Sequence, residues 1–277
     1  MEHLGFQRHV RACNNAVLPG ERIPFLVGDQ AVGWVAPRMV SALAQTQLLQ
    51  CAADRVTLAD PAALPSIARD LSDRGLYRWR GEAFDVRAAP DGPALAQVDR
   101  GAIPSFGIQA VGVHVNGLVH RSNGLHMWIA RRAIDKLLDP GKLDNIVAGG
   151  VSAGFGPAET LVKEAGEEAA VPPDLASTAV HVGLIPYAME RPEGLRRDLL
   201  HCYDLVLPED FTPQAADGEV AGFELWPLAR AVEAVRDTDD FKFNVNLVLI
   251  DLFVRQGLIA GAEGDDLRAR LAVASSD

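Results

Sequence analysis

Between residues 149 and 171 the chain reads GGVSAGFGPAETLVKEAGEEAAV, a glycine-rich loop running into a segment with glutamates at 164, 167 and 168. On a helix turning about 100° per residue, positions i, i+3 and i+4 fall within one arc, so the spacing predicts three carboxylates converging on one face. Hard oxygens crowded in this way suit magnesium or manganese. Pro157 fits the first helical position, where its missing N–H costs nothing, and Glu159 falls in the positively polarised first turn. Ala158, Leu161, Val162, Ala165 and Ala169 form an apolar stripe that would press the helix onto a core and leave the acids exposed toward a cleft. Gly166 weakens the helix by about 1 kcal/mol relative to alanine, and it removes bulk between the acids. The plainer reading of EAGEEA is a solvated acidic face.

The order of parts narrows the choice: a hydrophobic strand at 145–148, glycines at 149, 150, 154 and 156, then the acidic helix. This arrangement resembles the signature box of the Nudix hydrolases. That box reads glycine, five residues, glutamate, seven residues, arginine-glutamate, an aliphatic, any residue, two glutamates, any residue, glycine, aliphatic. Gly149 opens it here, Glu164, Glu167 and Glu168 are its helix acids, and Val171 closes it. Phe155 stands in place of the first glutamate, Lys163 in place of the arginine and Ala170 in place of the last glycine. Lysine still pairs with a carboxylate, without arginine's planar fork. GVHVNG at 112–117, ARR at 130–132, PGKLDNIVAGG at 140–150, DGEV at 217–220 and FKFNVNLVLIDLFVRQG at 241–257 resemble the Nudix proteins related to thiamine pyrophosphokinase. CNNAVLPGERIPFLVGDQAVGWVAP at 13–37 resembles the small domain that precedes Nudix in that branch.

The resemblance implies an α/β/α sandwich with a mixed sheet over residues 106–277, preceded by a small mixed α/β domain over 1–105. It implies magnesium, with manganese as the alternative, held by Glu164, Glu167 and Glu168 and by a backbone carbonyl near Ala148 or Gly149. Glu164 would also orient or deprotonate water. Because Phe155 leaves the box one carboxylate short, Glu219 is expected to serve as a further catalytic acid; the other reading of its surroundings is an Asp217-Gly218 turn feeding a strand. His114 is the histidine expected to approach substrate, and Arg131, Arg132 and Lys136, with Arg196 and Arg197, would contact phosphate or be solvated surface charges. The implied substrate is thiamine diphosphate or an oxidised derivative, cleaved to monophosphate and orthophosphate. A broader nucleoside diphosphate pyrophosphatase and a non-catalytic Nudix-fold binding protein are the alternatives. Tyr187, Phe223 and Trp226 would stack on a heteroaromatic ring or pack in a core.

With 277 residues and 48% hydrophobic content, the chain can bury one large or two modest cores. Its net charge of −11 argues against general nucleic-acid or anionic-membrane binding and requires cations to attract a small-molecule diphosphate. A homodimer is compatible with this reading. Three scattered cysteines, Cys13, Cys51 and Cys202, fit reduced thiols in the cytoplasm, and no zinc site is indicated. No apolar h-region opens the chain, and the run near Leu247 is interrupted by Asp251 and Arg255.

Periodicity predicts helices at 4–12, 40–50, 62–71 and 244–256, the last capped by Gly257. It predicts strands at 23–27, 32–35, 83–88, 107–120, 125–131, 179–187, 198–206 and 220–226. The turn chemistry of residues 101–106 makes them the expected boundary between the two parts. Two motifs compete for the glycine loop. Residues 150–154 fit G-x-S-x-G, which would make Ser152 a nucleophile with His181 or His201 as base and Asp174 as the acid before His201. A phosphate-binding P-loop is excluded because Phe155-Gly156 stand where lysine and a hydroxyl residue are needed.

Overall fold

The computed structural model describes residues 5–216 and 218–274. Leu4, expected to begin the first helix, and Asp217, expected to open the Asp-Gly turn, lie outside the described residues. The chain starts with α1 (Phe6–Cys13), followed by the hairpin β1 (Ile23–Val27) and β2 (Gln30–Val35) turning at Gly28-Asp29. Then come α2 (Pro37–Leu43), β3 (Leu49–Cys51), β4 (Val56–Leu58), α3 (Leu64–Asp73), and a second hairpin of β5 (Ala83–Val86) and β6 (Ala96–Asp99). The first four strands form a sheet in the order β2-β1-β4-β3, with β1 parallel to β4. The helix expected over 40–50 stops at Leu43, because Leu49 is buried as a strand residue opposite Leu58 instead of continuing a helical turn through polar Gln45, Thr46 and Gln47.

After α4 (Ile103–Phe106) the long strands begin: β7 (Gln109–Arg121), β8 (Gly124–Arg132), β9 (Leu143–Asp144) and β10 (Val147–Gly150). The acidic helix is α5 (Pro157–Ala169), trailed by α6 (Pro173–Ala176) and the hairpin β11 (Val180–Arg191) and β12 (Gly194–Val206). The chain ends on β13 (Val220–Pro227), α7 (Leu228–Asp237), α8 (Val245–Arg255) and α9 (Gly261–Leu271). The sheet runs β11-β12-β7-β8-β13, with β10 added to β7 and β9 to β8; β12 and β7 are parallel, the other pairs antiparallel.

Period-two alternation assigns the two faces of this sheet. Val113, Val115 and Val119 of β7 pack with Leu161, Ala165 and Ala169 of α5, whereas Leu118 of the same strand packs with α8 on the other side. The result is the α/β/α sandwich with mixed sheet, preceded by a smaller α/β region whose own core gathers Phe25, Leu43, Leu58, Leu64, Ile67 and Phe106. One element crosses between them. Helix α1 buries Phe6, Val10 and Cys13 against α8 and α9, with Phe6 edge-on to Phe253 at 6.4 Å and His9 Nε2 donating to the Val235 carbonyl at 2.8 Å. No helix among the described residues is long and apolar enough to cross a membrane.

Candidate active site

A cleft of about 1060 Å³ opens where the two regions meet. Gly112 and His114 of β7, residues 148–150 of β10 and the acids of α5 line one side; Trp34, Tyr77, Arg80, Phe84 and Arg100 face them from the N-terminal region. Two adjacent glycines let this surface close up. The Glu164 side chain lies 2.6 Å from where a Cβ on Gly149 would stand, and the tip of the Phe84 ring is 2.4 Å from the same position on Gly150.

Helix α5 begins as its sequence requires, with Pro157 in the first turn and Glu159 Oε2 accepting the Gly156 N–H at 2.9 Å. Its buried face starts at Thr160 and Leu161, not at Ala158, which is exposed. The acidic face is graded rather than uniformly exposed: Glu167 is exposed, Glu164 half-buried and Glu168 buried. Glu168 turns inward because its Oε2 accepts the Ala148 N–H at 2.9 Å, a donor on the neighbouring strand. Lys163 Nζ donates to Glu164 at 3.0 Å and to Glu167 at 2.7 Å.

With Glu168 on the strand and Lys163 on the other two, the acids do not converge as the helical spacing predicts. Among the described residues no three His, Cys, Asp or Glu side chains are gathered closely enough to hold a metal ion. The donor set nevertheless fits a hard cation. Lys163 already places one positive charge between Glu164 and Glu167. Burial raises the Glu168 carboxyl well above its ordinary range against the pull of the Ala148 N–H, and burial raises Glu164 despite Lys163. A cation would relieve both.

Behind the cleft floor lies a buried polar layer. His114 Nδ1 donates to Asn145 Oδ1 at 2.9 Å, Asn145 Nδ2 to Asn116 Oδ1 at 2.8 Å, and Asn116 Nδ2 to Asp204 Oδ1 at 2.8 Å, where Arg255 also binds. Asn244 approaches His114 Nε2 at 3.4 Å. Burial, helped by the Lys242 ammonium, pushes His114 down to about 4, so the ring is neutral at pH 7.

Residues 111–246 match the NUDIX domain, and residues 5–110 match a domain of unknown function, DUF4743. Nudix hydrolase 20 and Nudix hydrolase 24 of Arabidopsis thaliana, both named as chloroplastic, are each 36% identical to the chain, over 276 and 268 residues. Each alignment spans 92% of this chain, and 74% and 73% of those proteins. The chain belongs to the Nudix hydrolases. It is an enzyme of the Nudix pyrophosphatase type, acting on a phosphoanhydride. Among solved structures, DR0079 from Deinococcus radiodurans is similar at a TM-score of 0.45 and 20% identity, covering 61% of this chain and 97% of that one.

Around the Nudix box, the expected phosphate ligands divide. Lys136 lines the cleft in an ion pair with Glu219, which lines it as well. Burial works to raise the Glu219 carboxyl, but Lys136 outweighs it and holds the group below its usual range. Arg132 reaches the cleft too, yet its fork is occupied: Asp144 at 2.8 Å and the carbonyls of Leu138 and Asp139 hold it as a brace for the loop after β8. Arg131 is a correction. It lies outside the cleft, bound to the Gly141 carbonyl and paired with Glu224, because neighbours on a strand point to opposite faces. Arg196 faces the cleft while Arg197 turns to the Gly107 carbonyl.

Ser152 does not meet a histidine; its Oγ donates to Glu82 Oε1 at 2.8 Å, whereas His181 and His201 pack on each other across β11 and β12, rings 5.3 Å apart. Tyr187 and Trp226 are core residues, and Phe223 is partly buried against the α5 side of the sheet. The aromatic groups that do line the cleft are Trp34, Tyr77, Phe84 and Phe243. None of those four, nor Lys242 or Asn244, was singled out in the sequence; the signals present were the FKFN segment at 241–244 for Lys242, Phe243 and Asn244, and the 13–37 segment for Trp34.

Proposed function

We propose that this Nudix hydrolase cleaves the phosphoanhydride of thiamine diphosphate or an oxidised derivative, giving the monophosphate and orthophosphate, with magnesium or manganese. The observation that carries this reading is the two-sided cleft: the acidic helix and glycine loop on one wall, aromatic and arginine side chains on the other. Glu164, Glu167 and Glu168 would hold the cation, with the backbone at Ala148 and Gly149 beside them. A bound divalent ion would neutralise phosphoryl charge and acidify the attacking water. Glu164, half-buried and with a raised pKa, would orient the attacking water and accept its proton. Glu219, paired with Lys136, would be the second acid, and Lys136 with Arg132 lines the same wall of the cleft. His114, neutral and held through Nδ1 by Asn145, would meet the substrate ring through its Nε2 edge, once Asn244, 3.4 Å from it, gives way. The segments resembling the branch related to thiamine pyrophosphokinase support the thiamine-type ring. Buried, unpaired Cys13 and Cys202 are in keeping with the cytoplasm as its compartment.

The size of the cleft favours one second reading. At about 1060 Å³ it reaches the top of the usual range for ligand pockets, which leaves room for a larger nucleoside-diphosphate substrate. Orthophosphate release and product analysis with magnesium, across thiamine diphosphate, its oxidised derivatives, dinucleotides and nucleotide sugars, decides between them. A preference for the thiamine-type compounds is expected. A preference for nucleotide substrates overturns the first reading, and no hydrolysis of any of them overturns both.

A further inference from the structure

The chain carries a net charge of −11, yet eleven lysine and arginine side chains face eight carboxylates around the cleft. Five of those cations, Arg22, Arg38, Arg78, Arg80 and Arg100, come from the N-terminal region, and Arg196 of β12 comes from the sheet.

Arg78 and Arg80 are the informative pair. Arg100 has Glu82 at 2.8 Å, and Arg196 has Glu193 at 3.0 Å. Arg78 and Arg80 make no ion pair or side-chain hydrogen bond among the described residues. Arg80 is depressed by burial and then by Arg100, Arg78 and Arg196, with Asp99 pulling the other way, so these four cations share one field. Such a cluster costs free energy until an anion enters it.

The loop that carries the pair is built rather than loose. Buried Asp99 accepts the N–H groups of Arg80 at 3.0 Å, Gly81 at 2.7 Å and Gly101 at 2.8 Å. Gly101 sits so close that a Cβ there would stand 2.1 Å from the Arg78 carbonyl oxygen. A buried carboxylate satisfied by three amides fixes where both guanidinium groups start.

We propose that Arg78, Arg80, Arg100 and Arg196 form one anion subsite, across the cleft from the acidic helix, that receives the free terminal phosphate of the substrate. The inference rests on reading the cleft as a diphosphate site, and it narrows the substrate class. A diphosphate monoester ends in a phosphate with unesterified oxygens and extra negative charge, which planar forks engage in pairs. A dinucleotide or nucleotide sugar has both phosphates esterified and offers less charge at that point. The subsite therefore selects diphosphate monoesters.

The test is calorimetric binding of inorganic phosphate to full-length protein without divalent metal, at low ionic strength, alongside turnover with magnesium. Arg78→Gln/Arg80→Gln should weaken phosphate binding by about tenfold or more and raise KM for diphosphate monoesters more than it lowers kcat. Its thermal midpoint should equal or exceed that of the wild type, since neither arginine has an ion pair to lose and mutual repulsion is relieved. Arg55→Gln, in an exposed pair with Asp54 outside the cleft, should change nothing. Wild-type protein that binds no phosphate, or a double variant that binds it equally well, overturns the subsite. If no diphosphate is hydrolysed but phosphate binding still depends on the two arginines, the hydrolase reading falls and the subsite stands. Hydrolysis with unaltered phosphate affinity in the double variant has the opposite meaning.

Discussion

Ser152 Oγ donates to Glu82 Oε1 at 2.8 Å, which ties the glycine loop of the Nudix box to the N-terminal wall of the cleft. The hydroxyl is a fastener, not a nucleophile. Ser152→Ala should cost about 1–2 kcal/mol in denaturant unfolding, the worth of a hydrogen bond to a charged acceptor, and leave turnover within several-fold of wild type. A loss of several orders of magnitude without unfolding would restore the serine hydrolase reading.

Glu168 is the acid whose replacement separates metal binding from folding most cleanly. Glu168→Gln keeps an oxygen for the Ala148 N–H, so the contact between α5 and β10 survives while the negative charge goes. Magnesium affinity by calorimetry should fall, and phosphate release should drop by about a hundredfold or more. Unchanged magnesium binding would remove Glu168 from the ligand set.

His114 sets a pH dependence of stability. Its ordinary value of 6.5 in the unfolded chain falls to about 4 in the fold. The unfolded state therefore takes up the proton first as pH drops. Stability is full above about pH 6.5 and declines as pH falls toward 4, by roughly 3 kcal/mol for this group. His114→Gln should flatten the unfolding free energy across that window, and an unflattened profile would assign the dependence to other groups.

Phe6 lies outside the cleft, in the core with α8 and α9. Phe6→Ala should destabilise by about 3–4 kcal/mol, read as a loss in the unfolding of the sandwich core and not of the N-terminal sheet. For the same reason, removing residues 1–105 would strip Phe6, Val10 and Cys13 from α8 and α9. Such a truncation should unfold or aggregate, so it cannot report on substrate selection; size-exclusion chromatography and circular dichroism would show a folded monomer if this is wrong.

The long elements were legible because their signals are local. Alternation marks β7, β8 and β11–β13 over eight or more residues each, and Pro157, Glu159 and the 164-167-168 spacing mark α5. Strands β3 and β4, three residues each, are too short to show a period and exist because β1 offers β4 an edge and β4 in turn offers one to β3. No expectation covered α7 or α9; the latter begins at Gly261 and contains Gly264, which hides it from propensity. At the site, the box located the acids but not their directions, since Ala148 and Lys163 decide where each carboxylate points. The arginines facing them lie about seventy residues earlier in the chain, and Arg78-Trp79-Arg80 in an acidic protein was the only trace of them.

Helix α1 also takes part in setting the two walls of the cleft against each other. The chain leaves the sandwich after α1, builds the N-terminal region, and returns through Gly107, so that region is leashed at two points. At the first, Asn14 and Asn15 accept N–H groups of β11, from Ala188 at 3.3 Å and Glu190 at 2.7 Å; at the second, Arg197 holds the Gly107 carbonyl at 3.2 Å. Between these two crossings the wall is bolted at the cleft itself, where the Ala153 N–H donates to the Ala83 carbonyl at 2.7 Å and the Gly154 N–H to Asp85 at 3.2 Å, beside the Ser152–Glu82 bond. The arginine wall and the loop that feeds the acidic helix therefore form one frame, and the gap between them works as a gauge of set width against which each substrate is measured.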